Sequence, residues 1–434
     1  MENVSYAKNP QSANFKDWAL VGDCDDEEIT ADQCSNSSSE LVFDIYYPKN
    51  TAYTHYSTCP LPVIFMFHPG GFSDCSSKEN TTGIQTMCIE FAARGFVVFN
   101  VEYRRGKLLY PDDDIEIVNQ TKTIYQQVAV YRAGQDARGA LRSALKMQAD
   151  GVFGAAFTFD VNKVFGAGAS AGAGAILTVA YLQKQSMIDA VSPGFKDRLG
   201  NIDADYYYAP PTSTLPELKA VLCMWGNFPM QGSVKTQTQA TNFFNQNNYT
   251  VPLIAFQGID DGIVKYDWRY ERFPPSTPPS GSTRGNYDTT SFCLENGGLI
   301  SVTPSGTNED LLMIGPLTLR DLVRNNNKPA EVYLDCDMGH GLADDCCTGN
   351  PTKKGKTCSD NCPPVYLTEF GTGRNNSTAV QRYMVERAAV FFQSIITGTT
   401  INGPSLFVEC ENFRNSCQSS STNHDGCQDT DSCN

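Results

Sequence analysis

The stretch VFGAGASAGAGAIL, residues 164–177, is nearly bare of side chains, yet it places one hydroxyl, Ser170, midway between Gly168 and Gly172. Apolar residues precede it and a helix-compatible run follows, so Ser170 is expected on a sharp strand-to-helix turn. Such a turn strains the serine backbone, and side chains two residues to either side would collide, which explains the glycines. The turn also lifts the hydroxyl clear and sets the Ala171 amide at a helix N-terminus, where positive potential can hold an oxyanion. A packing turn with an idle serine would need the same glycines, so the partners of Ser170 decide between the two.

A serine hydroxyl is a weak nucleophile until a base takes its proton. The chain has only four histidines, His55, His68, His340 and His424. His55 lies in a polar segment ahead of the first central strands, and His424 lies in a polar tail. His340 sits in DCDMGHGLADD, directly after the apolar run EVYLDC, with Gly339 and Gly341 leaving the ring room to reach across. An orienting acid is expected between serine and histidine in chain order, after a strand of its own. PLIAFQGIDDGIV, residues 252–264, offers Asp260 and Asp261, one of which must point away from the imidazole. Finally, HPGGF, His68–Phe72, follows the run PVIFMF. Two adjacent glycines let the backbone approach a carbonyl and aim amides at it. Pro69 has no N–H, so Gly70 and Gly71 are the candidate donors. Phe72 and Trp225 are candidates to line a substrate site, as is Tyr366, although aromatic residues at strand ends more often belong to a core.

Short apolar and β-branched runs alternate with helical patterns, the signature of a mostly parallel α/β sheet flanked by helices. Strands are predicted at 41–48, 62–67, 96–103, 163–168, 219–226, 252–258 and 330–336, and helices at 135–148 and 380–396. Residues 1–40 read as an N-terminal extension and 41–409 as the catalytic domain. Within it, 265–325, which contains FPPSTPPSGSTRGN, reads as a long insertion before the last strand and part of a substrate cleft. Residues 410–434 form a Cys/Ser/Asn-rich tail. Tyr103, Arg104, Asp136 and Arg138 are expected to lock the helix before the serine turn to the sheet.

The chain has 434 residues and a formal charge of −15, which argues against nucleic acid and anionic membrane surfaces as partners. No apolar run is long enough for a membrane span. Sixteen cysteines, an even number, suit an exported protein whose leader has been removed. Several lie in close local pairs, Cys24 and Cys34, Cys75 and Cys88, Cys410 and Cys417, and Cys427 and Cys433, and most are expected in disulfides whose pairing is open, whereas Cys223, inside AVLCMW, reads as a buried free thiol. Neither Cys346, Cys347, Cys358 and Cys362 nor Asp335, Asp337, Asp344 and Asp345 has the spacing of a metal site, so no metal and no cofactor is expected.

From LVFDIYYP to the helix ending near Ile396, the chain resembles the α/β-hydrolases of the esterase/lipase branch. HPGGF resembles the HGGG-type oxyanion loop, G-A-S-A-G the nucleophile turn, and MGHG the histidine loop, all in the family's order. The hormone-sensitive-lipase-like and carboxylesterase families are nearest in motif style. Ala169 departs from them, standing where those families carry Asp or Glu. The resemblance implies an α/β-hydrolase fold and a secreted bacterial esterase needing no cofactor. Its G-x-x-D-x-x-V turn selects Asp261 over Asp260. It implies a small-molecule or polymeric ester as substrate, such as an acetylated or feruloylated plant polymer or an aromatic polyester. Two other readings stand beside it, a serine peptidase of the same fold and a binding protein on a hydrolase scaffold. Acyl group, alcohol group and oligomeric state are open at this level.

Overall fold

The computed structural model describes residues 1–6, 41–48, 60–72, 78, 82–104, 115–154, 156–191, 196, 200–204, 207–230, 237–247, 251–258, 261, 264, 268–271, 290–293, 299–302, 311–335, 340–341 and 377–398. Eight strands form its central sheet. In spatial order these are β1 (Val4–Ser5), β2 (Val42–Tyr46), β4 (Val97–Val101), β3 (Leu61–Phe67), β5 (Phe159–Ala169), β6 (Leu218–Met224), β8 (Leu253–Gly258) and β13 (Ala330–Asp335). The β1–β2 and β2–β4 pairs are antiparallel, and every later pair is parallel. Parallel strands need both faces covered, which is why β4 and β8 are buried along their whole length and apolar except for the amides of Asn100 and Gln257.

The strand period of two sorts β3 between two cores. Val63, Phe65 and Phe67 face a cluster built with the helices α2 (Ile115–Ala149), α3 (Ala171–Tyr181), α4 (Gln185–Val191), α5 (Gln237–Asn247) and α6 (Pro316–Asn325). Ile64 and Met66 face the other cluster, closed by α1 (Thr82–Ala93) and α7 (Ser377–Thr397). Phe392 of α7 stacks on Phe165 of β5 at 4.3 Å, fastening this layer beneath the serine strand. Burying one such ring contributes roughly 1.5–3 kcal/mol. Above the strand, α3 comes so close that a Cβ on Gly166 would lie 2.4 Å from Ile176. The small residues of 164–177 therefore serve close helix–strand contact as well as the turn itself.

All seven predicted strands are present, the fourth starting earlier, at Phe159. The predicted helix 135–148 is the end of the longer α2, which starts at Ile115, and the helix predicted at 380–396 falls within α7. Inside the stretch assigned to the insertion, β12 (Leu311–Ile314) pairs antiparallel with both β9 (Trp268–Glu271) and β7 (Phe228–Met230), while β10 (Thr290–Cys293) and β11 (Leu299–Val302) pair antiparallel with each other. The following α6 buries Leu319, Leu322 and Val323 in the main core.

Cys88, close to Cys75 in sequence and expected in a disulfide, forms none. Cys88 is a buried free thiol that α1 turns toward the sheet with Ile84, Met87 and Phe91. Cys223 is the expected buried free thiol, and burial pushes it up to about 12. The other three local cysteine pairs and the four-cysteine cluster lie outside the described residues, as do residues 7–40 and the tail. Among the described residues no helix is long and apolar enough to cross a membrane.

Candidate active site

The site stands at the C-terminal ends of β3, β5, β6, β8 and β13. Ser170 follows β5 with φ 49° and ψ −117°, a conformation costly for any residue but glycine. The surroundings enforce it. A Cβ on Gly168 would lie 2.3 Å from the Gly172 carbonyl oxygen, and one on Gly172 would lie 2.4 Å from that of Phe67. The Ser170 amide donates to the Met224 carbonyl at 2.9 Å, tying the turn to the neighbouring strand. Ala171 is the first residue of α3, so its N–H has no acceptor within the helix and faces outward from the positive end of the dipole.

Two loops from distant sequence complete a hydrogen-bonded chain. His340 Nε2 lies 2.9 Å from Ser170 Oγ, and Nδ1 lies 2.9 Å from Asp261 Oδ2. Asp261 is fully buried, and His340 keeps 22% of its side chain exposed, so the base opens toward solvent while the acid does not. Asp261 Oδ1 accepts the Val264 amide at 2.7 Å, and Oδ2 also accepts from Gln257 Nε2 at 2.7 Å. With both oxygens engaged, the carboxylate is fixed in place to receive Nδ1–H and to hold the imidazole in the tautomer whose Nε2 can accept a proton. Gln257, buried at the end of β8, was not singled out from sequence. Its only signal is an amide inside an otherwise apolar strand. Asp260 lies outside the described residues.

The HPGGF loop runs along the other side of Ser170. Gly70, Gly71 and Phe72 have φ values of 127°, 65° and 60°, a run that turns the chain back over the start of α3. Nothing crowds a Cβ at Gly71, so glycine is needed there for its backbone conformation. The Phe72 ring is buried and stands 3.5 Å from where a Cβ on Gly174 would be. Trp225 follows β6 with φ 38° and packs with the cluster on the opposite face of the sheet from Phe72. The two aromatic candidates thus pack on opposite faces of the sheet. Among the described residues, the non-glycine residues with positive φ are these two, Ser170 and two asparagines, Asn3 and Asn327, a residue type that tolerates this region. Backbone strain in bulky residues is therefore gathered at this site. Tyr366 lies outside the described residues.

The four residues expected to lock α2 to the sheet divide. Arg104, just past β4, pairs with Asp136 of α2 at 2.9 Å, fully buried, and Tyr207 adds a hydrogen bond to the same carboxylate at 2.6 Å. Arg138 instead ties α2 to Asp203 at 2.8 Å, in the segment after α4 and away from the sheet. Tyr103 hydrogen-bonds the carbonyl of His68 at 2.7 Å, so it holds the glycine loop and not the helix.

The strand order, with a serine turn after β5, an acid after β8 and a histidine after β13, defines the α/β-hydrolase fold. No family model and no curated protein matches the chain. Solved structures with some likeness include esterase 2 of the Planctomycetes species Thermogutta terrifontis in several states. Its propionate-bound form is 14% identical with a TM-score of 0.41, covering 84% of this chain and 93% of that one. The butyrate-bound form is 13% identical with a TM-score of 0.42, covering 88% and 98%. The form phosphorylated by paraoxon is 14% identical with a TM-score of 0.40, covering 84% and 92%.

Proposed function

We propose that this protein is a serine carboxylic-ester hydrolase working through an acyl-enzyme. The observation that carries the reading is the continuous hydrogen-bonded chain from Ser170 through His340 to Asp261. Ser170 Oγ attacks the ester carbonyl while His340 Nε2 takes its proton. The carbonyl electrons move onto oxygen, which is received by the Ala171 amide and the Gly70–Gly71 backbone. Collapse of the adduct breaks the bond to the alcohol oxygen, which leaves with the proton from His340. Water, deprotonated by the same imidazole, then releases the acid and restores Ser170. Asp261 orients the ring and balances its transient positive charge. Phe72 and Trp225 line the approach to the carbonyl.

The substrate class we propose is an ester of a small or aromatic acid, including acetylated or feruloylated plant polymers and aromatic polyesters, met outside the cell. The high cysteine content supports an oxidising setting. Hydrolysis of p-nitrophenyl acetate through longer and aromatic p-nitrophenyl esters, and release of acid from polymeric substrates, tests the reading. Turnover by the wild type and none above background by folded Ser170→Ala supports it. Full activity in that variant refutes it.

A further inference from the structure

Resting on the ester-hydrolase reading, we infer that Glu102 is a positioning residue for the oxyanion loop, its single carboxylate gripping both ends of the segment from His68 to Lys78. Glu102 directly follows β4, whose Val101 pairs with Phe67, so the sheet places it beside His68. Oε1 lies 3.2 Å from His68 Nε2, and Oε2 accepts the Lys78 backbone N–H at 2.9 Å. His68 and Lys78 are 0% and 1% exposed. The Lys78 ammonium turns inward to Asp44 Oδ2 at 2.9 Å, and Asp44 Oδ1 accepts the Asn3 amide at 2.8 Å. A loop end that needed only to be tethered would leave its lysine in water. Burying ionised groups costs several kcal/mol before their pairing offsets it, so a buried charged chain calls for an explanation beyond packing.

The explanation lies in what His68 touches. Its Nδ1 lies 2.8 Å from the Pro69 carbonyl oxygen, and its ring stacks on Tyr103 at 4.4 Å. Its carbonyl accepts from Tyr103 and faces α3, where a Cβ on Gly172 would lie 2.5 Å away. Gly70 and Gly71 begin two residues on. The placement of His68 therefore sets the distance between their backbone and the oxygen that becomes negative at Ser170. Amides aimed at that charge act only if they are already in position, and losing one such donor lowers kcat by about 10²–10³-fold.

The test compares Glu102→Gln and Glu102→Asp with the wild type. Gln removes the negative charge and leaves one acceptor oxygen where the carboxylate offers His68 and Lys78 two. We expect kcat for p-nitrophenyl acetate to fall roughly 10- to 100-fold, with KM within about twofold. Affinity for a trifluoromethyl ketone, which mimics the tetrahedral adduct, should fall by the same factor as kcat/KM. Glu102→Asp keeps the charge and should recover part of the loss. A folded Glu102→Gln with wild-type kcat and ketone affinity overturns the inference, as does a loss confined to KM. Should the Gln variant not fold, Glu102→Asp carries the test: a smaller fall confined to kcat supports the inference, and wild-type kcat overturns it. Failure of the parent reading looks different, since the wild type itself would then neither hydrolyse the ester nor take up a fluorophosphonate.

Discussion

Asp261 shows how much of a reactive site rests on groups that do no chemistry. Replacing it with Asn puts a donor opposite Nδ1 and favours the wrong tautomer, so kcat should fall by about 10⁴-fold with folding intact. Gln257→Leu deletes one donor to the carboxylate. A hydrogen bond to a charged group contributes about 1.5–3 kcal/mol, which predicts a fall in kcat/KM of roughly 10- to 150-fold, read on the same ester panel. Ser170 and His340 were legible in sequence because serine turns constrain their neighbours and the chain has few histidines. Gln257, Glu102 and Lys78 were not. Each is a polar residue whose partners only the fold reveals, and Lys78 finds Asp44 thirty-four positions away.

At the scale of elements, the turn works because β5 and α3 nearly touch. Gly172→Ala would drive a Cβ to 2.4 and 2.5 Å from the carbonyl oxygens of Phe67 and His68, which are backbone and cannot swing aside. That variant should lose about 1–3 kcal/mol of stability and most of its ester turnover, measured by thermal denaturation and initial rates. The parallel strands were legible because burial on both faces makes them continuous apolar runs. The N-terminal half of α2 was not, since IEIVNQTKTIYQQ mixes apolar and polar residues without a clear stripe. The apolar spacing of α1, at Ile84, Met87, Cys88 and Phe91, is present in the sequence, but a cysteine at a core position looks like any other cysteine until the helix is seen.

At the scale of the molecule, two cores hold the sheet between them, and the Arg104–Asp136 pair joins the end of β4 to α2 through the larger one. Asp136→Ala would remove the buried carboxylate that Arg104 pairs with, at a cost of about 3–5 kcal/mol, visible as a lower urea midpoint. The mostly parallel character of the sheet and the chain order of the motifs were readable together because each motif closes an apolar strand, whereas the spatial order of the strands came only with the fold. The three-stranded unit of β7, β9 and β12 was not readable, because its strands are short and lie far apart along the chain. The central claim is that this edge makes one hydroxyl reactive. It is tested most directly by treating the folded protein with a fluorophosphonate and locating the adduct by mass spectrometry. One adduct per chain on Ser170, absent from Ser170→Ala and strongly slowed in His340→Ala, is the predicted result. A folded wild type that takes up no label, or carries it on another residue, would contradict the account.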